Sequence, residues 1–344
     1  MRHVKIGDRL IGEGHPVFII AEIGYNFTSV SEAKASIDAA IECRVNAVKF
    51  QTFRAETVVS RHTDFPAEAG ATNQFEEFKR YEISEELHRE LFAYARDKKV
   101  LVFSTPSYFD DVDLLERLQV EVYKIGSDDL TNIPFIRYVA EKGKPVIFST
   151  GMGTLAEVDE AVQTIRAAGN DQIVILHCVS NYPISDLHIV NLKVIRTFRQ
   201  AFNVPVGFSD HTTTIAASLG AVAIGASVIE RHFTLDKRLP APDAFFSADP
   251  TEMKALVQAI RELEQALGDG VKQPTPTEQA MRLETRKSVI AGMDIGQGEV
   301  ITEKMIIVKR PGTGIAPKLS QLVIGRRAKQ AIKADEVITW EKLD

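Results

Sequence analysis

Eight short apolar runs rich in Val, Ile and Phe recur along the first 235 residues, and longer segments with helical spacing separate them. This alternation is typical of strands and helices that build a parallel sheet. Eight repeats of the unit predict an α/β chain folded as a closed (β/α)8 TIM barrel. The eight runs cover residues 17–24, 46–52, 100–106, 121–127, 144–151, 173–180, 204–211 and 227–234.

The chain is predicted to have four parts. Residues 1–16 are expected to form a hairpin that caps the bottom of the barrel, and residues 17–268 the barrel itself. Residues 269–284 are rich in Gly, Pro and Thr, which indicates a linker. Residues 285–344 contain short alternating segments, which predict a small β-rich domain.

Polar residues end nearly every apolar run. The carboxyl ends of the strands of a (β/α)8 barrel meet at one mouth, where the active site lies in enzymes of this fold. We therefore expect these polar side chains to face one cavity. The endings read AEIGYN, KFQT, STP, KIGS, STGM, SNYP, SDH and ERHFT.

Two lysines, Lys49 and Lys124, lie at strand ends and are expected to point into this mouth. Burying an unpaired ammonium group costs on the order of several kcal/mol, because the ion loses its hydration. Two ammonium groups close together therefore predict a bound anion. Hydroxyl groups at other strand ends can add directed hydrogen bonds to a phosphate or carboxylate. These hydroxyls belong to Thr105, Ser127, Ser149, Ser180 and Ser209.

Two histidines, His211 and His232, end consecutive strands. Neighbouring strands lie about 4.8 Å apart, so both imidazoles can reach one divalent ion and leave positions open for water and a substrate oxygen. Ordinary hydrogen-bonded histidines are the alternative. His177 lies within a strand and is expected to be a core residue.

Five carboxylates fall near the predicted mouth, and each can exchange a proton or orient a histidine. Spacing alone does not assign their roles. Strand alternation is expected to turn Asp210 and Glu230 away from the histidines, toward helix or loop partners. The five are Glu22, Asp129, Asp210, Glu230 and Asp243.

The composition limits the partners and the compartment. A net charge of −6 leaves no basic surplus for a nucleic-acid backbone. Two distant cysteines, Cys43 and Cys178, favour a reduced compartment over a disulfide framework. The first residues lack the long apolar core of a signal peptide, and no apolar run reaches the roughly 18 residues of a membrane helix. A cytoplasmic protein without membrane or nucleic-acid partners is expected.

The polar endings, in their order and spacing, resemble the bacterial sialic acid synthase family, which includes N-acetylneuraminate, legionaminate and pseudaminate synthases. The resemblance covers essentially the whole chain, since residues 285–344 resemble the antifreeze-like (SAF) domain joined to such barrels. The motifs that carry it are AEIGYN, VKFQT, FSTP, YKIGS, STGM, NYP, FSDHT, VIERHFTLDK and VKRPGTG.

The resemblance implies a reaction in which phosphoenolpyruvate condenses with an N-acylated hexose, giving a nine-carbon 2-keto acid and phosphate by C–O cleavage. It implies that His211 and His232 hold a Mn²⁺ or Mg²⁺ ion, and that Glu22 and Asp129 are catalytic. The implied phosphoenolpyruvate pocket comprises Lys49, Thr105, Lys124, Ser127, Ser149, Ser180 and Ser209.

The implied sugar site includes Gln51, Tyr182 and Asp243. Arg310, in KRPG, matches the arginine that the small domain of one subunit inserts into its partner's active site, which implies a domain-swapped homodimer. The chain departs from the family pattern on the sugar side. Phe27 stands where His is usual, and Asp129 is one methylene shorter than the usual Glu.

Three other functions compete with this interpretation. A Schiff-base aldolase can use Lys124 or Lys49 as its nucleophile, although two lysines beside five hydroxyls favour a bound anion. A metal-dependent hydrolase usually needs further histidines near the first strand, which here ends in Glu22, Ile23, Gly24 and Tyr25. A carbohydrate-binding relative without catalytic activity is the third alternative.

Overall fold

The computed structural model of the protein describes residues 3–64 and 73–344. The chain divides into two compact units, residues 1–268 and 269–344. The first unit begins with an antiparallel hairpin of β1 (Val4–Ile6) and β2 (Arg9–Ile11). Residues 1 and 2 of the predicted cap lie outside the described residues.

Eight parallel strands form the centre of the first unit. They are β3 (Phe18–Gly24), β4 (Ala47–Thr52), β5 (Leu101–Pro106), β6 (Tyr123–Ile125), β7 (Val146–Ser149), β8 (Ile173–Cys178), β9 (Val206–Asp210) and β10 (Val228–His232). Their order along the sheet is β5-β4-β3-β10-β9-β8-β7-β6. The end strands β5 and β6 also lie side by side, which curls the sheet into a barrel. The predicted (β/α)8 architecture is thus confirmed.

Helices follow the strands and pack their apolar faces on the outside of the sheet. α10 shows how they begin: Asp249 and Glu252 form a capping box around Pro250 at the first helical position. The helices of this unit are α1 (Val30–Glu42), α2 (Ala55–Val58), α3 (Gln74–Tyr81), α4 (Glu85–Asp97), α5 (Phe109–Arg117), α6 (Ile133–Ala140), α7 (Leu155–Ala167), α8 (Val194–Phe202), α9 (Ala216–Ala223) and α10 (Pro250–Leu267). A 3-10 turn covers Leu187–Val190.

The hairpin fills the amino-terminal end of the barrel. Its side chains Val4, Ile6 and Ile11 are each 1% exposed. They belong to one apolar cluster with inward-facing residues such as Phe18 and Phe103, which come from the strands. This cluster closes the bottom of the barrel and leaves its carboxyl end for polar side chains.

The second unit has its own apolar core, which includes Val289, Ile301 and Ile338. Its antiparallel strands are β11 (Ser288–Ala291) and β12 (Ile306–Lys309), and 3-10 turns cover Glu303–Met305, Pro317–Leu322 and Trp340–Lys342.

A helix occupies much of the segment that composition indicated as a linker. This helix, α11 (Pro276–Thr285), begins with a capping box of Thr275 and Glu278. Thr and Pro are therefore signals of a helix start at this point. Among the described residues, no helix is long and apolar enough to cross a bilayer.

Two adjacent hairpin residues provide a test of the bottom cluster. Ile11 is 1% exposed and Leu10 is 47% exposed. We expect Ile11→Ala to lower the free energy of unfolding of the first unit by about 2–4 kcal/mol, because it leaves a cavity in the cluster. Leu10→Ala should change it by less than about 0.5 kcal/mol. Urea denaturation measures both, and equal effects would contradict this role of the hairpin.

Candidate active site

A cavity of about 720 Å³ opens at the carboxyl ends of the barrel strands. The predicted polar side chains meet there. Its lining includes Glu22, Lys49, Gln51, Thr105, Lys124, Ser127, Ser149, Ser180, Tyr182, Ser209, His211, Glu230, His232 and Asp243.

Lys49, on β4, lies in a network of side chains from three neighbouring strands. Its Nζ forms a short ion pair with Glu22 of β3 and donates to Thr105 Oγ1 of β5 at 3.0 Å. Gln51 Nε2 donates to the other Glu22 oxygen, Oε1, at 3.0 Å. Glu22 and Lys49 face each other in register across β3 and β4, which explains why they meet.

Lys124, on β6, lies two strands away from Lys49 and is held by groups of β6 and β7. Its Nζ donates to Ser149 Oγ at 2.6 Å and to the Ile125 carbonyl at 3.0 Å. Glu230 of β10 joins the two lysines, because its carboxylate oxygens lie 3.8 Å from Lys124 Nζ and 3.8 Å from Lys49 Nζ. Ser209 Oγ also donates to Glu230, at 3.0 Å.

The prediction that Glu230 turns away from the cavity is wrong. Residues two apart on a strand share a face, so Glu230 points inward with His232. The prediction that Asp210 turns away from the cavity is confirmed. Asp210 precedes the inward-facing His211 and points outward. Its Oδ2 accepts hydrogen bonds from Ser218 of α9 at 2.5 Å and from Arg231 at 3.2 Å.

Burial and mutual charge set the pKa values of this group. Burial raises the pKa of Glu22 to about 7, against the lowering effect of Lys49. Burial alone would lower the pKa of Lys49, but the carboxylates of Glu22 and Glu230 raise it. Burial lowers the pKa of Lys124, with Glu230 opposing. The cluster therefore places two cationic groups and a carboxyl that can carry a proton near neutral pH in one buried site.

His211 and His232 lie side by side, with ring centroids 5.3 Å apart. His211 Nδ1 is 3.0 Å from the Val179 carbonyl, so the tautomer that donates this bond keeps Nε2 free as a ligand. His232 Nδ1 is buried and has no hydrogen-bond partner among the described residues. Burial, followed by the charge of His211, lowers the pKa of His232 well below its usual value, which favours the neutral imidazole.

These two histidines fit a divalent ion that is bound by few protein ligands. Two neighbouring imidazoles, one of them with an orphaned buried nitrogen, can ligate a divalent metal ion. In residues 3–64 and 73–344, no group of three His, Cys, Asp or Glu side chains is arranged to hold a metal. An ion at this pair would therefore complete its coordination with water or substrate oxygens.

Aromatic rings and a carboxylate surround the histidine pair. The ring of Tyr182 lies 4.3 Å from that of His211, and Phe246 lies 5.1 Å from His232. Asp243 Oδ2 is 3.6 Å from His232 Nδ1. Burial raises the pKa of Asp243 to about 6. Asp243 and Phe246 come from the loop after β10, so that loop forms one side of the site.

Asn26 anchors this loop, and sequence reasoning did not single it out. Its Nδ2 donates to the Phe233 carbonyl at 3.1 Å and to Ser247 Oγ at 3.0 Å. Ser247 Oγ donates in turn to the Asp243 carbonyl at 2.6 Å. The only available signal was the polar Asn within the AEIGYN ending.

The remaining predicted hydroxyls gather around Gly151. Its backbone N–H donates to Ser127 Oγ at 2.9 Å. A Cβ at this glycine would lie 2.1 Å from Ser180 Oγ, so no side chain fits between the two serines. Ser180 Oγ is buried and has no hydrogen-bond partner among the described residues.

Cys178 also lines the cavity, and its Sγ lies 3.9 Å from His211 Nδ1. The sequence did not predict this residue as part of the site.

One predicted catalytic residue lies outside the described lining of the cavity. Asp129 does not belong to the described lining of the cavity, where the adjacent Asp128 appears instead. Its side chain accepts a hydrogen bond from Asn132 at 2.9 Å, in the loop before α6. Arg310 belongs to the second unit, after β12. Phe27 also lies outside the described lining, and its ring contacts Phe50 at a centroid distance of 6.3 Å.

His177 is a core residue, as expected. Its Nε2 bonds to the Val190 carbonyl at 2.7 Å, and its ring stacks on Phe208 at 5.8 Å.

Two known protein-family models match this chain, one in each part of it. The model of the NeuB family matches residues 36–272, and the model of the SAF domain matches residues 286–344. An N,N'-diacetyllegionaminic acid synthase from Legionella pneumophila is 41% identical, covering 97% of this chain and 96% of its own length. The human N-acetylneuraminate-9-phosphate synthase is 35% identical, covering 98% and 95% respectively.

A solved structure is also similar to this chain. The N-acetylneuraminic acid (sialic acid) synthetase from Leptospira borgpetersenii serovar Hardjo-bovis, crystallised in complex with citrate, superposes with a TM-score of 0.74. It is 33% identical to this chain, covering 81% of it and 95% of its own chain.

Removal of the carboxylate between the lysines tests the charge cluster. We expect Glu230→Gln to lower the free energy of unfolding by about 3–5 kcal/mol, because Lys124 loses its ion-pair partner in a buried site. Inorganic phosphate should restore part of this stability, since an anion can replace the lost charge.

Thermal and urea denaturation with and without phosphate measure these effects. Glu262→Gln, at an exposed position of α10, is the control and should change stability by less than about 0.5 kcal/mol. An unchanged stability in Glu230→Gln would contradict the assignment of Glu230 to the two lysines.

Proposed function

The chain belongs to the NeuB family and ends in a SAF domain, and we propose that it is a nonulosonic acid synthase that condenses phosphoenolpyruvate with an N-acylated hexose. One observation carries the proposal: two buried ammonium groups and two imidazoles line the same cavity. The products in the relatives' names support the same reaction class. These names differ in the sugar and in its phosphate, so they leave the acceptor open.

The donor is proposed to bind between Lys49 and Lys124. Both side chains are about 4% exposed, so their charges act in a medium with little water. The hydroxyls of Thr105 and Ser149 already contact the lysines and can turn to an anion's oxygens. Ser127, Ser180 and Ser209 are proposed to complete the pocket for the phosphate and carboxylate of phosphoenolpyruvate.

The acceptor is proposed to bind against Gln51, Tyr182 and Asp243, beside the histidine pair. Arg310 is proposed to reach the sugar site of a second subunit in a domain-swapped homodimer. The support for this contact is the family resemblance of the KRPG segment.

His211 and His232 would hold the divalent ion, Mn²⁺ or Mg²⁺. When bound, such an ion polarises the aldehyde of the sugar as a Lewis acid. The Val179 carbonyl fixes the ring of His211 for this role, and neutral His232 offers a buried nitrogen.

The bond changes define what the other residues must do. C3 of phosphoenolpyruvate bonds to the aldehyde carbon, whose oxygen takes a proton and becomes a hydroxyl. Water adds to C2, and the C–O bond to phosphate then breaks. Glu22, with a pKa of about 7, can hold a proton next to Lys49 and return it. Asp129 is the second predicted carboxylate, although Asp128 is the one that lines the cavity.

A Schiff-base aldolase acting on a 2-keto sugar acid is the second candidate. The observation in its favour is the lowered pKa of Lys124, which burial causes. Two lysines and their hydroxyls in one cavity support the anion site more directly, because an aldolase needs only one amine.

Phosphoenolpyruvate labelled with ¹⁸O in the oxygen between C2 and phosphorus tests the proposal. With a panel of N-acylated hexoses, we expect a nine-carbon keto acid and label in the released phosphate, because the C–O bond breaks. Mass spectrometry of both products measures this. A Lys124 adduct trapped by borohydride with a 2-keto sugar acid, without phosphate release, would establish the aldolase instead. Saturable sugar binding without turnover would indicate a binding protein.

Metal dependence provides an independent test. Chelation should abolish turnover, and Mn²⁺ or Mg²⁺ should restore it. His211→Ala and His232→Ala should each weaken Mn²⁺ binding by about ten-fold or more, measured by electron paramagnetic resonance of free Mn²⁺. His188→Ala, at an exposed site, is the control. Unchanged Mn²⁺ affinity in the two variants would remove the proposed role of the histidine pair.

A further inference from the structure

The cavity changes character from its floor to its rim. The floor is polar and closed: Lys49, Lys124 and Ser209 are 3–4% exposed. Val58 and Phe78, which also line the cavity, are partly exposed, and Met152 is 75% exposed. Gln74, Ser107 and Asp128 add polar side chains to the rim. A substrate whose reacting end reaches the floor therefore meets apolar side chains on the Val58 and Phe78 side of the rim.

Most of this apolar wall comes from the segment between β4 and α4. Phe53 follows β4 directly, Val58 ends α2, and Phe78 lies in α3. Gln51 is two residues before Phe53 and lines the same cavity, so a sugar held by Gln51 also lies near this wall.

Packing fixes the wall in place. The Phe53 ring contacts the rings of Tyr25 and Phe78 edge to face, at centroid distances of 5.7 and 5.3 Å. α2 and α3 are also tied together, because the Ala55 N–H donates to Glu82 Oε1 at 2.6 Å. A wall built in this way presents a preformed apolar surface to a ligand.

The charges of the lining disfavour an anionic group at the rim. Lys49 and Lys124 are the only lysine or arginine side chains in the described lining, and both lie at the floor opposite carboxylates. Asp128 adds an exposed carboxylate to the lining. A phosphate on the outer end of the acceptor would lie between apolar groups and a negative charge, and no lysine or arginine of the described rim would offset its desolvation.

Building on the proposed function, we propose that the acceptor is an N-acylated hexose without phosphate that places a methyl-bearing substituent against Val58 and Phe78. The substituent is a deoxy carbon or the methyl of a second acyl group. Val58 and Phe78 are then specificity-determining residues, which act on the acceptor and leave the donor site unchanged.

Three acceptors, each assayed with phosphoenolpyruvate, test this proposal: a 2-acetamido hexose, its 6-phosphate, and a 2,4-diacetamido-6-deoxy hexose. We expect kcat/KM to be higher by about ten-fold or more for the 2,4-diacetamido-6-deoxy hexose (the deoxy sugar) than for the 2-acetamido hexose, since apolar pockets discriminate by roughly this factor per methyl group. The 6-phosphate should be the poorest acceptor. A higher kcat/KM for the 6-phosphate than for the other two sugars would overturn the proposal. This holds even if the preference is lost when Arg310 is replaced.

Variants of two adjacent valines assign the effect to the wall. Val58 and Val59 are both partly exposed, but only Val58 is in the described lining. We expect Val58→Arg to raise kcat/KM for the 6-phosphate relative to the deoxy sugar by about ten-fold or more, because a cation then faces the phosphate. Val59→Arg should leave this ratio unchanged.

Phe78→Ala provides a second variant that adds no charge. It should lower kcat/KM for the deoxy sugar with little change in KM for phosphoenolpyruvate, which also shows that the barrel is folded. If neither Val58→Arg nor Phe78→Ala alters the relative kcat/KM values of the three sugars, the proposal is overturned. Absence of phosphate release with all three sugars would instead reject the proposed function.

Discussion

Two lysines and two glutamates buried inside one barrel are the constraint on which the rest of this structure depends. Lys49, Lys124, Glu22 and Glu230 come from four strands, and each is less than 7% exposed. Buried ions cost free energy unless they are paired and hydrogen-bonded, so the strands must hold them in register. The apolar cluster at the closed end of the barrel supplies the burial that fixes those strands.

The same charges make the carboxyl end of the barrel suitable for an anionic substrate. A carboxylate that bridges two ammonium groups at 3.8 Å keeps both aimed into the cavity without saturating them. The histidine pair lies on β10 and just after β9, the same two strands that carry Glu230 and Ser209. The proposed donor, acceptor and ion sites therefore lie within one cavity, as a bimolecular condensation requires.

Much of this arrangement could be predicted from the sequence. Strand periodicity and polar strand endings gave the barrel, the two lysines, the hydroxyls and the histidines. Glu230 was misassigned because the alternation rule was applied to its nearest neighbour in sequence and not to His232, two residues on. Asn26 and the wall of Val58 and Phe78 were missed, because their roles depend on contacts between segments distant in sequence. The helix α11 was missed because its Pro and Thr indicated a linker.

The proposed function requires one anion in the space between Lys49 and Lys124. A crystal structure of the protein with bound phosphoenolpyruvate is the decisive measurement. We expect phosphate or carboxylate oxygens within hydrogen-bond distance of both Nζ atoms, with at least one contact to Ser149 or Ser209. Phosphoenolpyruvate bound to only one of the lysines, or outside the barrel mouth, would contradict it.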